Sequence, residues 1–318
     1  MTLLALVMLG TWPIWFVGTI VFDLVRGKRK LPTLRLVAFA LCWAWVEVAG
    51  LTAAALFSLA GKGKNLGVHF ALQRWWASTL MSTLRLTVGI RVVVENPEVL
   101  RPGPVLVFSR HASLADSLVS AYSMGNAAGL RPRYVLKREL MADPCLDVVG
   151  HRLPNYFLDR GSNNQSGELK GIAQLGHNLG PEDVAVIFVE GTRANPKKRE
   201  QILSSMAERS PERARRLAAL RHLLPPKPAG ALALLESAPD ADVVIAGHTG
   251  FDGLDTFGGM LKRLEAGAGI ARMWFVRIPR SEVPTERVIE WLDERWLELD
   301  RAVGEHLAQA GSAEGHDK

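Results

Sequence analysis

The stretch "PVLVFSRHASLADSL", residues 104–118, decides how this sequence is read. Val105 to Phe108 is a short apolar run of the kind that forms a buried strand, and His111 follows three residues later, where a chain leaves a sheet and enters a helix. In open α/β sheets functional groups gather at the carboxyl ends of the strands, so a polar group at this turn stands at a cleft. His111 and Asp116 would diverge by roughly 140° in a continuous ideal helix. They meet only if His111 lies in the helix lead-in and Asp116 on its first turn.

Working outward, the same pattern recurs. Short β-branched runs alternate with helical stretches: "TVGIRVVVE" (87–95), "RYVLK" (133–137), "NYFLDR" (155–160), "VAVIFVE" (184–190), "ADVVIAG" (241–247) and "RMWFVRI" (272–278). With residues 104–109 this predicts an α/β fold, a mainly parallel sheet flanked by helices. "PPKPAG" at 225–230 reads as a loop, and a long amphipathic helix from about Pro284 to Ala308 closes the pattern. The tail "GSAEGHDK", 311–318, reads as disordered.

The amino-terminal fifth is different in kind. Residues 1–22, "MTLLALVMLGTWPIWFVGTIVF", carry no charged side chain, and Leu3 to Phe22 as one helix would be about 30 Å long, enough to cross a bilayer core. A signal peptide would carry its basic residues before the apolar stretch, whereas "DLVRGKRK" follows it. Leu36 to Ala60 is a second apolar segment with Glu47 as its only charge, so the sheet is expected to be preceded by a pair of hydrophobic membrane helices. Arg26, Lys28, Arg29, Lys30 and Arg35 lie between the segments, and Lys62, Lys64 and Arg74 after them. Keeping both groups cytoplasmic requires that only the first segment spans, with the second tilted or half-inserted. Trp12, Trp15, Trp43, Trp45, Trp75 and Trp76 suit interfacial anchors. The expected division is 1–65 membrane-anchoring helices, 66–310 catalytic domain and 311–318 tail, with the catalytic domain on the cytoplasmic face, a bacterial inner membrane being favoured.

Composition limits the partners. The chain has 318 residues, 48% of them hydrophobic, and a net charge of +6, which favours an anionic partner: nucleic acid, anionic lipid or a phosphorylated small molecule. No zinc finger, recognition helix or aromatic RNA platform accompanies the charge, so nucleic acid is not expected. Cys42 and Cys145 make neither a disulfide framework nor a zinc pattern. His69, His151, His177, His222 and His248 lack metal-ligand spacing and read as surface or packing residues.

Four polar signals fall at strand ends: His111 with Asp116, Arg160 after "FLD", "EGTR" at 190–193, and Lys227 in "LLPPKPAG". A lone H-x-x-x-x-D is a weak signal, but the four in this order are not. In "RHASLAD", "FLDRG", "FVEGTRA" and "LLPPKPAG" the chain resembles the glycerolipid acyltransferase family, which acylates 1-acyl-sn-glycerol-3-phosphate and related lysophospholipids. The similarity runs from about Leu84 to Leu235. "NPKKRE", "HLLPPKPAG" and "RIPRSEVP" before "WLDERWLELD" look like its lysocardiolipin acyltransferase branch. Three positions depart from the family pattern: Arg110 stands where asparagine is usual before the histidine, Lys227 where arginine is common, and "AGA" where the loop has an aromatic end.

The resemblance implies transfer of a fatty acyl group from acyl-CoA, or acyl carrier protein, to a lysophospholipid hydroxyl, with acyl-CoA as co-substrate and no cofactor. A hydroxyl is a poor nucleophile, so a neutral imidazole must take its proton as it attacks the thioester. His111 is assigned that role, and Asp116 would fix its tautomer and stabilise the imidazolium. Arg160 and Arg193 are first choices for the acceptor's phosphate, because guanidinium matches phosphate oxygens in bidentate fashion; Lys137 is a second, and Pro226 and Lys227 complete the fourth block. A carboxylate would repel phosphate, so Glu190 more plausibly organises Arg160, Arg193 or loop amides, with Gly191 allowing close backbone approach and Thr192 beside it. Arg209, Arg213, Arg215, Arg216 and Arg221 form a basic stretch that meets CoA phosphates or headgroups, or is simply a solvated face. A serine hydrolase using Ser109 or Ser113 would lack a G-x-S-x-G elbow, and a non-catalytic protein that binds anionic lipid would have no need of the H-x-x-x-x-D block.

Overall fold

The computed structural model describes residues 2–113, 115–251, 257–266 and 269–316. Seven strands, β1 (Ile90–Val94), β2 (Val105–Ser109), β3 (Arg131–Lys137), β4 (Tyr156–Leu158), β5 (Asp183–Ile187), β6 (Asp242–Thr249) and β7 (Gly269–Ile278), form one sheet in the order β1-β7-β6-β2-β5-β3-β4. Each overlaps one of the seven expected runs, and β3, β5, β6 and β7 extend past the ends expected for them. β6 and β7 pair antiparallel and every other pairing is parallel, so the sheet is mixed and mostly parallel.

Among the described residues twelve α-helices accompany it: α1 (Thr2–Gly10), α2 (Trp12–Val25), α3 (Pro32–Leu59), α4 (Leu66–Thr83), α5 (Asp116–Tyr122), α6 (Pro144–Gly150), α7 (Gln165–Gln174), α8 (Pro196–Arg209), α9 (Pro211–Leu217), α10 (Pro228–Ser237), α11 (Phe257–Ala266) and α12 (Val288–His316). Period-two alternation along the strands sorts the core into two layers. Val105, Val107, Val184, Val186, Val244 and Ala246 pack against α4 and α5 on one face. Leu106, Phe108, Ala185, Ile187, Val243 and Ile245 pack against α7, α10 and α12 on the other. β2 is buried along its whole length, as a central strand covered on both faces must be. Each large side chain buried there contributes roughly 1.5–3 kcal/mol.

The expected amino-terminal pair of membrane helices is met only in part. The first apolar segment does not form one spanning helix: it breaks at Thr11, with Pro13 in the first turn of α2, where a residue lacking an N–H is tolerated but cannot continue a preceding helix. Among the described residues α3 alone is long and apolar enough to cross a membrane, by length and composition. Its 28 residues span about 42 Å.

α3 is also fastened to the sheet domain from end to end. At its start Arg35 donates to the carbonyls of Thr87, Val88 and Leu264. Midway Val46 enters the core, and Glu47 Oε1 accepts 2.9 Å hydrogen bonds from the indoles of Trp43 and Trp76. Near its end Arg152 donates to the Ala54 carbonyl and Ser58 Oγ. Large apolar side chains stay exposed on this side of the molecule, among them Trp12, Trp15, Phe16, Trp45, Leu56 and Trp75. At the other end of the chain α12 runs on to His316, into the stretch expected to be irregular, and Asp317 and Lys318 lie outside the described residues.

Candidate active site

The turn after β2 folds His111 and Asp116 together. Asp116 opens α5, and its Oδ2 accepts from the amides of Ala112 at 2.6 Å and Ser113 at 2.9 Å. That is the half-turn lead-in on which the five-residue spacing depends. His111 Nδ1 then lies 2.8 Å from Asp116 Oδ2, so the ring carries its proton on Nδ1 and presents Nε2 as the free base. Ser113 Oγ donates to Asp116 Oδ1. The imidazole leans on Phe188, with ring centroids 4.9 Å apart.

A second imidazole faces the same carboxylate: His248 Nε2, at the end of β6, stands 3.4 Å from Asp116 Oδ1. His248 is expected from sequence only as a surface or packing residue; it is buried, and it also faces the Asp116 carboxylate. Four apolar residues, Val243 to Ala246, precede Gly247 in the strand, and nothing in that run signals a carboxylate on a distant turn. The two rings are not equivalent. The His111 side chain is 12% exposed and lines the cleft, whereas His248 is 2% exposed and does not. Burial alone would push Asp116 up; the charge of His248 and the His111 hydrogen bond pull it down to about 2.

The neighbouring turn, after β5, holds a second buried carboxylate. Glu190 Oε1 accepts from the His111 amide at 2.8 Å and Oε2 from the Leu224 amide at 2.9 Å. Ala194 N donates back to the His111 carbonyl at 2.8 Å. Glu190 thus organises loop amides, one of the roles expected of it, and does not line the cleft. Burial raises its pKa to about 8, against the two amides and Arg110, which favour the charge. Gly191 adopts φ +69°, where a side chain is strained, and a Cβ there would approach the Lys227 side chain to 3.1 Å.

A cleft of about 530 Å³ opens at this point, lined by His111, Lys137, Arg160, Gly191, Arg193 and Lys227 together with apolar groups from Val135, Leu158, Ile172 and Phe188. The expected cations therefore converge on one space. Burial and then the neighbouring charges of Arg160 and Arg193 lower the Lys137 pKa, and burial and Arg160 lower that of Lys227. Like charges sharing one space depress the lysines in this way. The remaining expected residues, Thr192 and Pro226, do not line the cleft and make contacts within its supporting loops instead. Thr192 Oγ1 accepts from Lys198 Nζ at 3.3 Å, and the Pro226 carbonyl accepts from Arg213 at 2.7 Å.

Two sequence signals acquire structural roles instead. Arg213 and Arg216 both bind Asp293, at 2.8 and 3.1 Å, which ties part of the basic stretch into the fold. Arg110, at the position where the family pattern has asparagine, is 2% exposed, turned to the His248 carbonyl and absent from the cleft wall. Among the described residues no group of three or more His, Cys, Asp or Glu side chains is placed to hold a metal ion.

Residues 91–248 match the sequence model of the family described as Acyltransferase. No curated protein matches the chain. Among solved structures the chain resembles the crystal structure of the 1-acyl-sn-glycerophosphate (LPA) acyltransferase, PlsC, from Thermotoga maritima. The identity is 16% and the TM-score 0.51, over 83% of this chain and 95% of that one. At that identity the likeness concerns the fold.

Proposed function

We propose that this chain, an acyltransferase by its 91–248 domain, moves a fatty acyl group from acyl-CoA or acyl carrier protein to the free hydroxyl of a lysophospholipid such as 1-acyl-sn-glycerol-3-phosphate. The observation that carries the reading is the convergence of His111, already paired with Asp116 at 2.8 Å, and four cations on one largely apolar cleft. An anionic headgroup held by Arg160, Arg193, Lys137 and Lys227 brings its hydroxyl to the imidazole, and the apolar wall accommodates a chain.

In the reaction His111 Nε2 takes the hydroxyl proton as the oxygen attacks the thioester carbonyl. Asp116 holds the ring's tautomer and stabilises the imidazolium. The tetrahedral intermediate collapses, the C–S bond breaks, and His111 returns the proton to the leaving thiolate. His248 is too deeply buried to reach a substrate, so the base is His111, with His248 behind the carboxylate. No acyl-enzyme is needed.

The acceptor within this class is the finer part of the reading. The lysocardiolipin-type resemblance leaned partly on "RIPRSEVP", and those residues have a structural use: Arg277 and the Arg280 amide both bind Asp242, at 2.8 and 2.7 Å. They therefore lend no support to a lysocardiolipin acceptor over lysophosphatidic acid. For location, α3 is bound to the domain along its length and exposes apolar side chains beside it, which favours a helix lying in one membrane interface over an upright span. The cleft then opens near the headgroups of that leaflet, on the cytoplasmic face. The testing experiment is labelled acyl-CoA offered to the detergent-purified protein with lysophosphatidic acid, lysophosphatidylglycerol and lysocardiolipin as acceptors. The expected product is phosphatidic acid, and transfer to none of the three would overturn the reading.

A further inference from the structure

Residues 218–227, between α9 and α10, form no helix or strand, yet Leu220, Leu223, Leu224, Pro225 and Pro226 are buried. A buried irregular segment must find a partner for each backbone group. The amides of Arg221, His222 and Leu223 all donate to the Asp300 carboxylate, at 2.9, 2.7 and 2.8 Å. The Leu224 amide goes to Glu190, Pro225 and Pro226 have no N–H, and the Lys227 amide donates to the Val189 carbonyl at 2.8 Å. On the acceptor side, the Leu224 carbonyl takes the Trp296 indole N–H at 3.0 Å. The Pro226 carbonyl takes Arg213, whose guanidinium is gripped by Asp293.

Three of these partners, Asp293, Trp296 and Asp300, belong to α12. At offsets of three and seven residues they lie on one stripe of the helix. All three are almost wholly buried. Two buried carboxylates on one helix face are costly unless they are paired; Asp300 is aimed at the loop directly, and Asp293 reaches it through Arg213 on α9. The family match ends at residue 248, so this face lies outside it.

From this geometry we propose that α12 is a positioning element for the acceptor site: Asp300, Trp296 and the Asp293–Arg213 pair set the loop so that Lys227 enters the cleft. The inference rests on the reading that Lys227 meets the acceptor's anionic group. Through Glu190 the same loop is joined to the His111 amide, so both halves of the site share one support.

The test uses the full-length protein in detergent, with 1-acyl-sn-glycerol-3-phosphate and acyl-CoA. Asp293→Asn is expected to raise KM for the acceptor about tenfold, the equivalent of one misplaced hydrogen bond, with kcat within about twofold. Hydrogen exchange of the amides at 221–224 and 227 should rise at the same time. Arg213→Lys, which keeps the charge beside Asp293 but cannot hold the carboxylate and the Pro226 carbonyl together, should reproduce the KM effect in a fully folded protein. Adding Asp293→Asn to Lys227→Ala should raise KM no further. Unchanged KM in both folded variants, a fully multiplicative double variant, or activity that falls only in step with folded protein would overturn the proposal. Lys227→Ala alone separates the two levels: if it leaves KM untouched, the acceptor-site reading fails, and exchange at 221–224 and 227 then decides whether α12 fixes the loop.

Discussion

The turns after β2 and β5 lie side by side in the sheet, and each buries one carboxylate that accepts two or more amides, yet the two carboxylates are driven in opposite directions. Asp116 meets imidazoles and is held at about 2; Glu190 meets chiefly amides and is raised by burial to about 8. Amides favour the charged form of both groups, and Arg110 does so at Glu190, but there burial outweighs them. Asp116 has in addition one imidazole hydrogen-bonded to it and a second beside it, and these together outweigh its burial. Asp116 is thereby suited to stabilise an imidazolium forming next to it, and Glu190 is suited to hold two loops in register.

Substitutions at the two turns should separate these roles. His111→Ala should lower kcat about 10³-fold with protein fold and vesicle binding intact, because it removes the base itself; a steady-state assay checks this. Asp116→Asn should lower kcat by about 10²-fold, through the wrong tautomer and an unstabilised imidazolium. Glu190→Gln should cost about tenfold in kcat/KM, because its amide nitrogen faces one of the two N–H donors and loosens a loop without removing a reacting group. If Glu190→Gln proved as damaging to kcat as Asp116→Asn, the distinction between the turns would fail. Arg160→Ala should raise the acceptor KM about tenfold with little change in kcat, since it removes binding and not chemistry.

The smallest effect is on stability, and its sign differs between the turns. A depressed carboxyl contributes stability that is present above its unfolded value, 3.8, and is lost as pH falls through about 2. A raised carboxyl contributes stability that is present below its unfolded value, 4.5, and is lost as pH rises through about 8. Thermal unfolding followed against pH should therefore lose part of its acid limb in Asp116→Asn, on the order of 2 kcal/mol. In Glu190→Gln it should lose part of the decline between pH 4.5 and 8.

Much of this was legible in the sequence. Seven apolar runs of strand length gave seven strands, because each is bounded by polar or proline-rich turns. The polar groups at their ends gave the cleft, because parallel strands deliver their carboxyl ends to one edge. What was hidden depends on residues far apart in the chain. Asp293 and Asp300 reach Arg213 and the 221–223 amides across 77 to 80 positions, and in sequence they are two acidic residues in an amphipathic helix. His248 meets Asp116 only because β6 lies next to β2. The amino terminus was legible only in part, for a local reason: counting apolar residues through Leu3 to Phe22 passed over Pro13, in the first turn of α2, and among the described residues α3 alone is long and apolar enough to cross a membrane.

The claim beneath all of this is that His111 and Asp116 act as one unit, and a double-variant cycle on kcat measures it most directly. His111→Ala combined with Asp116→Asn should be no slower than His111→Ala alone, since the carboxylate has nothing left to assist. A combined loss equal to the product of the two single losses would show independent roles and contradict the account.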